Sequence, residues 1–337
     1  MKLVTFKTGN RNRLGIVVNK QVYDLHYCDP MIPGEMNAFL QGGEAMMQRA
    51  KAIEKKLANY ELNVIVQSEY EMMAPVPRPA SCRDGYAFRQ HVAAARRNRK
   101  VPMIPEFDQY PIFYFTNHQA IYGPGRIECM PDHFQKLDFE LEVAIVLNKR
   151  GRNIKAAEAD DYIAGYMIMN DMSARTLQME EMLLNLGPAK GKDFATIIGP
   201  WLVTPDELET YKVEPKPGHT GNAYNLEMVC RVNDIEVSRG NMADMDWTFA
   251  EIIERASYGC DVYPGDVIGS GTVGTGCFLE LNGTGLLNDP NYKPQWLQPG
   301  DKVVMEVTGL GLLENTIVAE RSDWSILELK KQPAEQL

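Results

Sequence analysis

From its first residues the chain alternates apolar and polar positions. Segments 3–6, 15–18 and 21–25 carry the two-residue period of strands, and Asn19-Lys20 offers a hairpin turn between the latter two. The period then lengthens. Met46, Met47, Ala50, Ile53 and Leu57 fall on one helical face, which predicts a helix over 43–60 with a buried stripe. Three prolines in Ala74-Pro75-Val76-Pro77-Arg78-Pro79-Ala80 forbid helix and lack the donors of a central strand. The chain therefore reads as a small N-terminal α+β domain over 1–73, a linker over 74–80 and one large domain over 81–337. In the large domain strand-like runs recur at 112–116, 137–147, 162–170, 225–232, 266–268, 277–281, 301–307 and 312–319. Helical periodicity is confined to 87–99, 156–161, 173–186 and 247–256. Irregularly connected strands of this kind predict an α+β protein, mainly β, without alternating βαβ units.

Composition narrows the function classes. With 45% hydrophobic and 24% charged residues the chain is ordinary globular material. Its 45 acidic and 35 basic side chains leave a net charge of −10, which argues against a nucleic-acid partner, since phosphate neutralisation needs surplus Lys and Arg. The longest apolar run, 162–169, falls far short of the ~20 residues of a membrane-spanning helix. The amino terminus lacks a secretory pattern, and the six scattered cysteines form no Cys-x-x-Cys. Reduced thiols in a cytoplasmic protein are the expectation.

Several segments carry chemistry. Gly269-Ser270-Gly271-Thr272-Val273-Gly274 has the glycine spacing of a dinucleotide fingerprint, but that site needs a following helix, and 277–281 reads as a strand. A glycine turn that brings backbone close to a ligand remains. In Leu137-Asp138-Phe139-Glu140-Leu141-Glu142-Val143 the period of two puts Asp138, Glu140 and Glu142 on one face. Carboxylates at i and i+2 stand ~6.5 Å apart and repel by roughly 2–3 kcal/mol at an effective dielectric of 20. An edge strand with a solvated acidic face and a site for Mg²⁺ or Ca²⁺ fit this segment equally well. Asp171 ends the apolar run 162–170, either as the N-cap of a helix starting near Ser173 or as a site residue facing Arg175 and Gln178. Asp84 stands where it would cap the helix that carries His91.

Together these segments resemble the fumarylacetoacetate hydrolase family. The resemblance rests on Asp84-x-Tyr86, Arg89-Gln90-His91, Asp138-Phe139-Glu140-Leu141-Glu142 and Asn170-Asp171-x-Ser173-Ala174-Arg175-x-x-Gln178, followed by Gly191-Lys192-x-Phe194 and Ser270-Gly271-Thr272. It implies a mixed β-roll or barrel-like β-sandwich, a homodimer, and one divalent cation (Mg²⁺ or Ca²⁺, with Mn²⁺ also possible) on Asp84, Glu140, Glu142 and Asp171. It implies His91, Glu280 and Lys192 as catalytic residues, with Glu280 on the strand after the glycine turn. Tyr86, Tyr114, Arg175, Gln178 and Thr272 are the implied substrate contacts. The implied reaction is hydrolysis of a carbon–carbon bond in a β-diketo acid, of fumarylacetoacetate or acylpyruvate type. That chemistry is coherent: the leaving carbanion is tolerable as an enolate, a metal stabilises it, and a His oriented by a carboxylate activates water. Lys192 would face the oxyanion, and with Arg175 it would offset the formal −2 of four carboxylates around a divalent ion. The family also contains decarboxylases, hydratases and isomerases of 2-oxo acids. A non-catalytic cation-binding β protein is the reading from a different class.

Overall fold

Residues 1–62 and 64–331 are described by the computed structural model. Its amino-terminal alternation forms β1 (Lys2–Thr8), β2 (Arg11–Val18) and β3 (Gln21–Asp24). Asn19 and Lys20 take positive φ, 51° and 65°, the tight turn whose twist matches an antiparallel hairpin. The helical stripe becomes α1 (Gly43–Ala58), with Ala50, Ile53 and Leu57 buried. Past the prolines come β4 (Cys82–Gly85), α2 (Arg89–Asn98), β5 (Phe113–Phe115), β6 (Gly125–Cys129), β7 (Leu141–Leu147) and β8 (Ile163–Asp171). Then follow α3 (Arg175–Met182), β9 (Thr196–Val203), β10 (Glu227–Val232), β11 (Ile235–Asn241) and α4 (Phe249–Ser257). The last elements are β12 (Val267–Gly269), α5 (Phe278–Asn288), β13 (Lys302–Val307) and β14 (Gly311–Ala319).

Among the described residues the main sheet runs β3-β2-β1-β9-β8-β7-β12-β4-β5 and stays open, and a second sheet runs β11-β10-β13-β14-β6. The main sheet joins the segments before and after the prolines, because Lys2 and Leu3 of β1 pair with Val203 and Leu202 of β9. β7 lies at the centre, antiparallel to β8 on one side and β12 on the other. Successive residues of these central strands enter two separate cores. Val143, Ile145, Tyr166 and Ile168 pack toward the second sheet, whereas Ala144, Val146, Met167 and Met169 pack toward the N-terminal strands and α1. The acidic strand is therefore no solvated edge: Asp138 and Glu142 are fully buried and Glu140 is 5% exposed. All six cysteines are free. No helix among the described residues is long and apolar enough to cross a membrane.

Three local expectations fail, each for an identifiable reason. The predicted strand 277–281 is the first turn of α5. Both oxygens of Asp138 accept its leading amides, from Phe278 N at 2.7 Å and Leu279 N at 2.9 Å, so a carboxylate 140 residues away overrides the local alternation. A helix does follow the glycine-rich segment, then, but its N-terminus is already occupied by a carboxylate and offers no seat for a pyrophosphate. Asp84 does not cap α2, whose N-cap is Phe88; it sits inside β4. Nor does Asp171 cap α3: the N-cap is Ala174, and Asp171 closes β8.

Burial on both faces of β8 has a measurable consequence. Ile168→Ala and Met167→Ala should each cost about 2–5 kcal/mol in urea unfolding, with unchanged m. A half-exposed strand would leave one of the two near neutral.

Candidate active site

Sheet register assembles the acidic cluster. Leu141 of β7 lies opposite Asn170 of β8, which brings Glu140 and Asp171 to the same end of the sheet. Asn170 Oδ1 accepts Glu140 N at 3.0 Å, fixing the backbone where the chain leaves β7. On the other side Ala144 faces Gly269 of β12, and Gly269 faces Asp84 of β4. A Cβ on Gly269 would lie 2.5 Å from Asp84 Oδ1 and 3.0 Å from Glu142 Oε2, so glycine is required for these carboxylates to meet. Gly271, at φ +80°, donates its N–H to Asp84 Oδ1 at 3.1 Å.

One carboxylate oxygen from each of Asp84, Glu140, Glu142 and Asp171 lies within 4.8 Å of the others, and all four side chains are buried. Two cations reach the cluster. Arg175, 2% exposed, donates from Nε to Asp138 Oδ2 and from Nη2 to Glu140 Oε1, both at 2.8 Å, and from Nη1 to Gln178 Oε1 at 2.9 Å. Lys192 Nζ bonds Glu140 Oε2 and, at 2.8 Å, Asp171 Oδ2. Tyr114, opposite Asp84 across β4 and β5, donates its hydroxyl to Asp171 Oδ2 at 2.5 Å. Thr272 Oγ1 donates to Glu142 Oε1 at 3.3 Å.

Full ionisation of these carboxylates and Asp138 would leave five buried negative charges against two positive ones. The titration directions follow from that imbalance. Burial, then the charge of Asp171, pushes Asp84 up to about 7. Burial and the charge of Asp84 raise Glu142 well above the carboxylate range. Burial also raises Asp171 against the pull of Lys192. Glu140 alone goes down, to about 2: burial opposes its charge, but Lys192 and Arg175 together outweigh burial. Glu142 Oε2 and Asp171 Oδ1 are buried without a hydrogen-bond partner among the described residues. Orphaned oxygens in an oxygen-only donor set fit a hard divalent cation, which would satisfy them and cancel the excess charge.

Beside the cluster stands a second buried pair. His91 of α2 and Glu280 of α5 are 8% and 5% exposed, and His91 Nδ1 lies 2.7 Å from Glu280 Oε2. The Tyr86 ring approaches the His91 ring edge-on, with centroids 6.0 Å apart. The structure thus gathers Asp84, Tyr86, His91, Tyr114, Glu140, Glu142, Asp171, Arg175, Gln178, Lys192, Thr272 and Glu280 into one connected region. Arg175 enters it as a brace between carboxylates, with its Nε, Nη1 and Nη2 all engaged by protein. Two residues go unassigned when the sequence alone is read. Asp138 anchors Arg175 and the start of α5, and Asn170 holds the backbone at Glu140. For Asp138 a signal existed, since it shares the acidic face with Glu140 and Glu142.

Comparison with known proteins adds the lineage. A model of the fumarylacetoacetate (FAA) hydrolase C-terminal domain matches residues 81–318. The chain is 33% identical over 305 residues to a mitochondrial oxaloacetate tautomerase of Bos taurus, covering 88% of this chain and 84% of that protein. It is 28% identical over 318 residues to fumarylacetoacetase of Oryza sativa subsp. japonica, covering 80% and 72%. The fold matches fumarylacetoacetate hydrolase from psychrophilic Exiguobacterium antarcticum at a TM-score of 0.68 and 23% identity, over 95% of this chain and 100% of that one. Maleylpyruvate hydrolase from Sphingobium sp. SYK-6, solved with manganese(II) ion and pyruvate, matches with the same TM-score and coverage at 20% identity.

The charge imbalance generates a pH-dependent outcome. Folded and metal-free, Asp84 keeps a proton to about pH 7 that the unfolded chain releases near pH 4. The folded state therefore binds more protons across that window, and metal-free stability falls as pH rises through it. A divalent ion displaces those protons, so its gain in Tm should be larger at about pH 8 than at about pH 5. Glu142→Gln should raise the metal-free Tm at alkaline pH and abolish the gain from metal. A gain independent of pH, or retained in Glu142→Gln, would remove the cation from this cluster.

Proposed function

From the premise that this chain belongs to the fumarylacetoacetate hydrolase family, we propose that it is a metal-dependent enzyme acting on a small 2-oxo acid through its enolate. We propose keto–enol tautomerisation of an oxaloacetate-type dicarboxylic acid as the reaction. The observation that carries this reading is the buried His91–Glu280 pair set beside four converging carboxylates. The relatedness to oxaloacetate tautomerase over most of both chains supports the choice of reaction.

The chain's own residues have definable tasks. Glu280, as a carboxylate, accepts from His91 Nδ1, which makes Nε2 the basic nitrogen and steadies the imidazolium when it forms. His91 then takes the proton from the carbon beside the 2-oxo group and delivers it to the enolate oxygen, and in the reverse direction it takes the enol proton and returns it to that carbon. A divalent ion (Mg²⁺, Mn²⁺ or Ca²⁺) on Asp84, Glu140, Glu142 and Asp171 would supply Lewis-acid stabilisation of negative charge on the substrate oxygens. Lys192 and Arg175 limit the negative charge that an anionic substrate meets on entering. Tyr114 and Thr272 orient the oxygens of Asp171 and Glu142, the Tyr86 ring packs edge-on against His91, and Gln178 accepts from Arg175.

Hydrolysis of a β-diketo acid of fumarylacetoacetate or acylpyruvate type is the second reading. It is favoured by the same His91–Glu280 geometry, which serves equally to take a proton from water, and by the likeness to fumarylacetoacetase. Assembly as a homodimer belongs to the same proposal and would give a mass near twice 38.0 kDa in light scattering.

A substrate panel separates the two reactions. With Mg²⁺, Mn²⁺ or Ca²⁺ supplied, interconversion of oxaloacetate enol and keto forms is followed by ultraviolet absorbance, beside cleavage of acylpyruvates and fumarylacetoacetate. Tautomerisation should accelerate, and His91→Asn should reduce it by about 10²–10⁴-fold while the metal-dependent rise in Tm persists. Cleavage without tautomerisation would transfer the assignment to the hydrolase. Neither activity with any of the three ions would overturn both.

A further inference from the structure

A second concave site lies along β2, and its charge is the inverse of the first. It is a cavity of about 610 Å³ within reach of Arg11, Arg13 and Arg78, with Asn12 and His26 among its other polar residues and Glu35 as its one carboxylate. Arg11 and Arg13 share a face of β2 by the two-residue period, and Arg78 approaches from the proline-rich segment. Arg13 is paired with Asp24, so Arg11 and Arg78 against Glu35 leave this wall cationic in a chain whose net charge is −10.

The arginines are arranged to receive something. Arg13 is held in place: its Nε donates to Asp24 Oδ2 at 2.7 Å, and its guanidinium lies 4.6 Å from the centroid of the Tyr27 ring. Arg11 and Arg78 form no ion pair among the described residues. Like charges gathered in one concavity repel, and an anion between them would relieve that repulsion. Planar guanidinium forks match carboxylate and phosphate oxygens in bidentate geometry.

We propose that this cavity binds a small polyanion bearing at least two carboxylate or phosphate groups, bridged between Arg11 and Arg13 of β2 and Arg78. The cavity's volume suits a metabolite-sized ligand. Bound there, the anion would tie the N-terminal hairpin to the segment that leads into β4. None of the residues involved belongs to the carboxylate cluster, so the inference stands apart from the tautomerase reading.

The test uses the full chain stripped of metal, because the acidic cluster then repels anions and cannot mimic the effect. Isothermal titration with tricarballylate represents the carboxylate source and pyrophosphate the phosphate source. One of the two should saturate with one molecule per chain, and the tighter arm identifies the source. The Arg11→Ala/Arg78→Ala variant alters two exposed side chains and should keep its far-ultraviolet circular dichroism. Its binding should weaken by about tenfold or more. Arg13→Lys, which keeps the charge but loses the fork, should also weaken binding. Absence of saturation by either anion in the millimolar range, or equal binding by Arg11→Ala/Arg78→Ala, would overturn the proposal.

Discussion

Mutual repulsion among buried carboxylates is the constraint around which this molecule is built. Asp84, Asp138, Glu140, Glu142 and Asp171 are buried together at one end of the central strands. Water screens such charges at the surface, whereas burial leaves their balance to fixed partners. The response is visible in several places. Arg175 lies across Asp138 and Glu140, Lys192 joins Glu140 to Asp171, and Gly269 gives up a side chain so that Asp84 and Glu142 fit beside β12. What these partners leave over, two oxygens without hydrogen bonds and raised carboxyl groups, is the complement of a divalent cation.

The same end of the sheet supports chemistry because the scaffold beneath it is rigid. β7 and β8 are covered on both faces by separate apolar cores, so the ends that carry Glu140, Glu142 and Asp171 cannot drift. The buried His91–Glu280 pair comes from outside this frame. His91 and Glu280 sit on two helices, α2 and α5, whose relative placement sets their contact. A rigid carboxylate cluster beside a helix-borne His–Glu pair is an arrangement that enolising and hydrolysing enzymes can share. This is why the lineage is plain while the choice between the two reactions rests on substrates.

Much of the site was legible in order along the chain, because its residues fall in short motifs whose spacing is local. Glu140 and Glu142 alternate on one strand, Asp171 closes an apolar run, and Asp84 precedes the helix of His91 by a few residues. Environment was less legible. The acidic strand could be placed at a solvated edge or in the interior, and only the pairing of β7 with two neighbours decides. The start of α5 was misread because Cys277, Leu279 and Leu281 alternate like a strand. Its helix is fixed by Asp138, a contact across 140 residues that no local window contains. The charge-balancing task of Arg175 is legible beside the carboxylate motif, but its anchor on Asp138, 37 residues upstream, is not.

Asp138 lies outside the four converging carboxylates, yet its two oxygens receive Arg175 Nε and the leading amides of the helix that carries Glu280. Arg175 in turn grips Glu140. The acidic cluster and the His91–Glu280 pair are therefore two ends of a single linkage. A chain of this kind accepts substitutions in sets: a replacement at Asp138, Arg175 or Glu140 that is harmful alone becomes tolerable only when its partners change with it. Residues outside this linkage are free of that coupling, so they can be replaced one at a time.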